Sequence, residues 1–314
     1  MKLNYKFSNL LGSVYKGGNI LFSNDGNSVF SPVGNRVSVY DLKNHRSETL
    51  PVESQFDVSL IALSPSGTFL LLVNEHGECL YISLLSKIVL HRHKFNKKVR
   101  DIKFSPNGRY FAVCRDADVQ VFRSPDPSCR QYNPFCVEST FHVSHDAANA
   151  LDWTSDSRLF AVGCADNQTK VCGSRAYKNL YMCPVGGHTS PVVAVFFQHD
   201  SYDMLTLEKR GTLVQWEASI ESEDLVRAEI PEDSNEDPDS TETSKAEVKN
   251  EKEYKLLSYK KISKYSFRDA LSASNYVFLI AAAYHKKNQL LVSGFSNGAF
   301  LLHEMPEFNL IQSL

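Results

Sequence analysis

One short turn signature recurs along this chain at a spacing that few architectures share. SPSG occupies residues 64–67, and SPNG occupies residues 105–108, 41 positions later; SNDG at 23–26 stands 41 positions before the first. TSDS at 154–157 follows after 49 positions, QHDS at 198–201 after 44 more, and HKKN at 285–288 after a longer gap of 87. A period of 40–45 residues is that of a four-stranded propeller blade. Each blade has an apolar face that only a neighbouring blade can cover, so the repeat predicts blades stacked around an axis. The chemistry of the turn agrees. Proline presets the backbone at the second position and glycine supplies positive φ at the fourth, which closes a hairpin between two strands.

Between the turns lie short alternating apolar runs. Residues 58–83, VSLIALSPSGTFLLLVNEHGECLYIS, and 99–123, VRDIKFSPNGRYFAVCRDADVQVFR, are the clearest repeats. Runs of this kind, separated by Gly, Asn, Asp and Pro, predict an all-β fold with almost no helix. Six blades are legible. The first repeat, NILFSNDGNSVFSPVGNRVSVYD, fits most loosely. The run 3–14 precedes it and reads as a strand that closes the last blade, because ring closure removes exposed sheet edges. Six blades with such a strand suggest seven in a longer parent protein, and hence an open edge prone to association here.

The formal charge of −2 hides an asymmetry. Residues 219–253 hold 13 Asp and Glu against 4 Lys and Arg, leaving 23 acids and 30 bases elsewhere, a basic body with an acidic insert. The insert lacks aromatics and has few apolar residues, so it predicts no packed structure. The organisation expected is therefore blades one to five with the closing strand over 1–218, a disordered acidic insertion over 219–253, and the sixth blade over 254–314. Ser234 and Ser240, set among acids, are candidate phosphorylation sites. The insert could serve to mask the basic body from RNA, or only to solvate it.

No run reaches the roughly 18 apolar residues of a membrane span, and polar residues break any signal-like core in MKLNYKFSNLLG. Seven cysteines without a CxxC fit free thiols in a reducing compartment. There is no nucleophile elbow, P-loop or HExxH. Neither an enzyme, a cofactor, a metal site nor a small-molecule substrate is indicated. The pair His145-Asp146 reads as a turn cap rather than a dyad.

The third strands end on Tyr40-Asp41 and Trp216-Glu217, and Gly187-His188 stands 28 positions before Trp216. These residues resemble the WD40 repeat. In that family an Asp six positions before the Trp supports a His–Ser/Thr–Trp hydrogen-bond network. Asp116 and Asp166 match that place in repeats three and four, whereas His76, Arg210 and Asn297 depart from it; Phe122, Cys172 and His303 replace the Trp. The resemblance thus implies a polar network missing from most blades, with packing in its stead. FSNLLGSVYKGGN at 7–19, SPVGNRV at 31–37, GGHTSPVVAVFF at 186–197 and the ending AAAYHKKNQLLVSGF…HEMPEFNLIQSL narrow it further. They resemble the WD40 subunits of the UTP-B subcomplex of the small-subunit processome. That family is eukaryotic and much longer than this chain, with tandem propellers and a helical C-terminal domain. The resemblance implies a scaffold in the nucleus and nucleolus for ribosome biogenesis and rRNA processing. Its partners would be other UTP-B WD40 proteins, the 5′ external transcribed spacer of pre-rRNA and the U3 small nucleolar ribonucleoprotein, during 18S rRNA maturation.

Two basic runs are candidate RNA or partner contacts. HRHKFNKKVR at 91–100 carries Arg92, Lys94, Lys97, Lys98 and Arg100, falls on the connection between blades two and three, and offers Phe95 to stack on an unpaired base. The alternative is a solvated loop or outer strand. KEYKLLSYKKISKYSFR at 252–268 carries Lys260, Lys261, Lys264 and Arg268 among tyrosines, a pattern that favours an outer strand with aromatics inward and lysines outward. A different class of function stays open: a propeller adaptor that recognises acidic or phosphorylated peptides.

Overall fold

The computed structural model describes residues 18–125, 133–228, 254–267 and 277–314. Among them are six four-stranded antiparallel sheets, each in sequential strand order, and no α-helix. The all-β propeller is thus as the repeat predicts. In blade order the sheets span 21–49, 58–94, 99–142, 148–185, 192–266 and 279–313. The run 3–14, Arg268, Ser234 and Ser240 lie outside the described residues.

The recurring turn joins the first and second strands of a blade, and it does more than its Pro and Gly announce. Its leading hydroxyl accepts the backbone N–H five residues on: Ser64 from Phe69 at 3.1 Å, Ser105 from Tyr110 at 3.0 Å and Thr154 from Leu159 at 3.1 Å. The fourth position takes positive φ, +72° at Gly67 and +71° at Gly108, and Ser157 adopts +62° where glycine is missing. Successive turns touch. Asn24 donates to the Pro65 carbonyl, Asn107 N–H to Ser157 Oγ at 3.0 Å and Asp200 N–H to Ser155 Oγ at 3.2 Å. The sequence period has become a series of turns on one face, bonded between blades one and two, three and four, and four and five.

Five apolar cores fill the seams between successive blades. The seam between blades four and five holds Val195, Phe197, Met204, Val214 and Trp216. Among the described residues no such core joins blade six to blade one. There Ile280, Val292, Phe300 and Leu310 of the last blade and Ile20 and Phe22 of the first are exposed.

The insertion sits elsewhere than expected. Tyr259–Ser266 pairs with Thr212–Ala218 and completes blade five, so the acidic segment interrupts blade five instead of separating it from blade six. Ser219 and Ser258 hold its ends together, with Ser219 N–H on the Ser258 carbonyl at 2.9 Å. A loop of this length is tolerated because closure entropy grows only logarithmically. Residues 219–228 are also packed, not free. Ile220 and Leu225 are buried in the seam between blades four and five, and Ala228 N–H bonds the Ala176 carbonyl at 3.1 Å. Two apolar side chains suffice to anchor a segment whose composition otherwise predicts no fold.

Candidate nucleic-acid and partner interface

The first basic run divides among three surfaces. Ile88–Lys94 is the fourth strand of blade two, and its alternation puts Arg92 and Lys94 outward and His91 and His93 against the body. His93 meets the rings of Phe95, Phe122 and Phe135 at 4.9–5.8 Å, and burial pushes both imidazoles below the usual histidine range. Lys97 and Lys98 lie on the connection, where Lys97 faces Asp116 at 3.5 Å and Asp118 at 3.8 Å. Arg100 stands on the first strand of blade three and reaches Asn149 of blade four at 3.5 Å. Phe95, read as a possible stacking platform, is a core residue only 1% exposed, so it cannot meet a base.

The second run is a single outer strand. Lys260, Lys261 and Lys264 are exposed on Tyr259–Ser266, and a register shift opposite Gln215 and Trp216 leaves Ile262 exposed beside them. The tyrosines turn inward. Tyr259 donates its hydroxyl to the Tyr202 carbonyl at 3.1 Å, and Tyr265 stacks on Phe308 at 4.7 Å. The fourth strands of blades two and five therefore present separate basic stripes, each on a rigid sheet edge. Such edges suit phosphate contact by exposed cations, whose strength falls with salt.

The repeat residues have unequal roles. Trp216 donates Nε1–H to Thr206 Oγ1 at 2.8 Å, and its ring lies 5.8 Å from that of His188. His188 Nδ1, Thr189 and Ser190 all meet Glu208, at 3.1, 2.9 and 3.2 Å. Burial holds the His188 pKa below its ordinary value despite that carboxylate. Blade five thus keeps two pieces of the network, Trp216 on Thr206 and His188 on Glu208, which stands on the second strand in place of an Asp at Arg210, while His188 Nε2 is buried without a partner among the described residues. The signal was an acid closing the apolar strand run at the head of MLTLEKRG. Asp116 and Asp166 occupy the expected turns without reaching any such network. Asp116 faces Lys97, and Asp166 accepts from Gln168 N–H at 3.2 Å.

A charged hub ties the first strands together. Asp152 accepts Phe197 N–H at 2.9 Å, pairs with Lys286 of blade six at 2.7 Å and faces Lys103 of blade three at 3.5 Å. Asp101 accepts Leu151 N–H at 2.9 Å, and burial pushes its carboxyl above the usual carboxylate range. These groups are matched to one another across blades three to six. They bind the propeller together and offer no nucleophile–base pair. Among the described residues no cluster of His, Cys, Asp and Glu could hold a metal, and no helix is long and apolar enough to cross a membrane.

Comparison with known proteins agrees with this architecture. The WD domain, G-beta repeat family matches residues 85–123 and 136–172. Each match runs from the fourth strand of one blade through the third strand of the next, so the sequence repeat staples neighbouring blades. The whole chain is 39% identical to the periodic tryptophan protein 2 homolog of Mus musculus and 35% identical to periodic tryptophan protein 2 of Saccharomyces cerevisiae, spanning 36% and 32% of those proteins. The Arabidopsis thaliana protein of that name is 34% identical over 99% of this chain. The chain thus spans about a third of the length of these relatives. Among solved structures, the Cps50 (Swd1) β-propeller domain of Myceliophteria thermophila superposes with a TM-score of 0.66 at 12% identity, covering 98% of this chain and 88% of that one. That likeness concerns the fold.

Proposed function

Over its whole length this WD40-repeat chain is homologous to about a third of periodic tryptophan protein 2, and on that premise we propose that it is a non-catalytic scaffold of ribosome biogenesis. The carrying observation is that relatives from animals, fungi and plants, at 33–39% identity across essentially the entire chain, share one name. The propeller suits the role. Its blades offer several separate rims on one stiff body, which serves assembly better than turnover.

The finer reading places the chain within UTP-B of the small-subunit processome, in the nucleolus. Partner propellers come first, and the 5′ spacer of pre-rRNA with the U3 ribonucleoprotein second. The exposed stripes of Arg92 and Lys94 and of Lys260, Lys261 and Lys264 are the contacts proposed for RNA or partners. Affinity purification of the tagged chain, with and without ribonuclease, tests this. Co-recovery of other processome WD40 proteins and of ultraviolet-crosslinked pre-rRNA is expected. Recovery of a ligase or of phosphorylated peptides without pre-rRNA would instead make it a peptide adaptor.

A further inference from the structure

A third basic surface arises from the fold alone. It lies on the turn face, between blades three and four. The residue after each recurring turn is an arginine in these two blades: Arg109 after SPNG and Arg158 after TSDS. Blade two has Thr68 there, so the pair is a local feature of the repeat. Two clefts of about 430 and 330 Å³ open beside them and share Arg109, Tyr110 and Arg175. The first adds Arg123, and the second adds Arg158 and Arg227. Five arginines from two blades and from the packed root of the insertion therefore border one continuous furrow.

The sequence hid this because the five are scattered over 119 positions, and only folding assembles them. Gly173 is part of how it does so. A Cβ there would come within 2.7 Å of the Tyr177 ring, which forms one wall of the furrow. Past Gly173 the third strand of blade four runs on to Tyr177, and Tyr177 bridges to Arg227. The segment that begins the insertion is held down there by Lys178 N–H on the Val226 carbonyl at 2.9 Å and by Val226 N–H on Asn179 Oδ1 at 3.2 Å.

The charge is largely unspent. Among the described residues Arg109, Arg175 and Arg227 have no carboxylate within ion-pair distance. Arg123 faces Glu138 at 3.3 Å, and Arg158 faces Asp156 at 3.7 Å and donates to the Ser222 carbonyl at 2.7 Å. Arg175 is positioned by Tyr110, whose hydroxyl accepts from Nε and Nη2 at 3.0 and 2.8 Å. That leaves the remaining guanidinium edge for another acceptor. Guanidinium forks match phosphate oxygens two at a time, and five arginines without a lysine are a composition for phosphate, not for a diffuse field.

We infer that this furrow binds the phosphodiester backbone of single-stranded RNA. The cations are strung along a rim through two clefts, each near the lower end of the size range of small-molecule sites, about 300–1,000 Å³. A phosphopeptide receptor would gather its donors around one point. A stacking surface is at hand in Tyr181, 92% exposed on the strand that pairs with the Tyr177 strand. The acidic cleft that shares Asp156, lined also by Asp200, Asp203, Glu217 and Glu221, repels phosphate and bounds the furrow toward blade five. The inference deepens the reading of the chain as an RNA-contacting scaffold and rests on it.

The test uses the full chain and a labelled oligouridylate of about 20 nucleotides, read by fluorescence polarisation between about 50 and 200 mM salt. Arg109→Gln with Arg227→Gln alters two exposed, unpaired side chains, so the melting midpoint should stay at the wild-type value. Affinity should fall about tenfold, and the slope of log affinity against log salt should become shallower by about 1.4, or about 0.7 for each phosphate no longer neutralised. Lys43→Gln with Arg46→Gln, the same charge change on blade one, should cost under about twofold. Equal losses in the two double variants would overturn the furrow in favour of diffuse charge. Wild-type binding unchanged in the furrow variant would overturn the furrow and leave RNA contact standing. No wild-type binding at low salt would overturn both. Tighter binding of a phosphoserine peptide than of the oligonucleotide would replace RNA by a phosphopeptide as the ligand.

Discussion

Blades three and five solve the same packing problem with opposite chemistry. In blade five His188, just before the first strand, sets its ring 5.8 Å from Trp216 on the third strand, at 73°. In blade three the two places belong to Phe95 and Phe122, at 5.6 Å and 66°. Sheet register extends the parallel: Val113 stands where blade five has Thr206, and Arg115 where it has Glu208. The His, Thr and Trp members have been exchanged for apolar side chains, Arg115 donates to the Phe95 carbonyl at 3.0 Å where Glu208 accepted from His188, and the edge-to-face ring geometry has survived. Phe111 then stacks on Phe122 at 5.0 Å, and Phe135 closes over both at 5.4 and 6.2 Å. The comparison shows that the blade requires a filled, T-shaped contact between two planar groups. The polar network is one way of fixing it.

Blade three then depends on volume, and blade five on the carboxylate that holds His188, Thr189 and Ser190. The sharpest way to break the comparison is Phe122→Ala. It removes the ring that four others touch and should cost about 4 kcal/mol, read as a loss in urea unfolding at pH 7. A cost under about 1 kcal/mol would mean that blade three is held by something other than its aromatic cluster. The counterpart is Glu208→Ala. It leaves His188, Thr189 and Ser190 facing a void where a carboxylate accepted from all three, and should cost about 3 kcal/mol. Glu208→Gln, which keeps the volume and two of the acceptor contacts, should recover about half of that. Were Glu208→Ala as mild as an exposed substitution, the network would be a relic and the two blades would not differ in kind.

The part of this architecture that sequence discloses is the part carried by short-range chemistry. Turn residues 41 positions apart, and continuous apolar runs such as Phe69–Asn74, fix hairpins and hence blades. The inward tyrosines of Tyr259–Ser266 were legible for the same reason, since alternation on an outer strand needs no partner to be seen. What failed to show depends on contacts between distant positions. Glu208 was hidden because its longer side chain reaches the network from the second strand, two residues away from where the family pattern seeks an Asp. Phe95 looks like part of a basic loop, and only its seat against Phe122 reveals it as core. The acidic segment looks like a spacer between blades because nothing local says that Tyr259–Ser266 belongs to the sheet left at Ala218. The furrow arginines are the extreme case: Arg109 and Arg158 share a repeat position, but nothing in the sequence joins Arg123, Arg175 and Arg227 to them.

Blade six sharpens the comparison further, because it mixes the two solutions. Phe267 takes the place of His188 and His303 that of Trp216, with rings 5.2 Å apart at 76°. Ser293 takes that of Thr206, yet Ser293 Oγ and His303 Nδ1 are buried without a partner among the described residues. The imidazole therefore sits between Phe267 and Phe308, the latter stacked on it at 4.2 Å, and burial lowers its pKa from the usual 6.5 to about 4. Because the folded state resists the proton, the unfolded chain takes it up first as pH falls. The stability is whole above about pH 6.5 and drains away toward pH 4, with a loss of about 2 kcal/mol between pH 7 and pH 5 from this group. His91, His93 and His188 are shifted the same way and add to the slope. His303→Phe makes blade six resemble blade three. It should leave stability at pH 7 within about 1 kcal/mol of wild type and remove about 2 kcal/mol of the loss at pH 5, measured as the change in unfolding free energy between the two pH values. An unchanged pH slope in that variant would show that the planar contact of blade six carries no titration of its own, and that the acid sensitivity of the propeller resides in blades two and five.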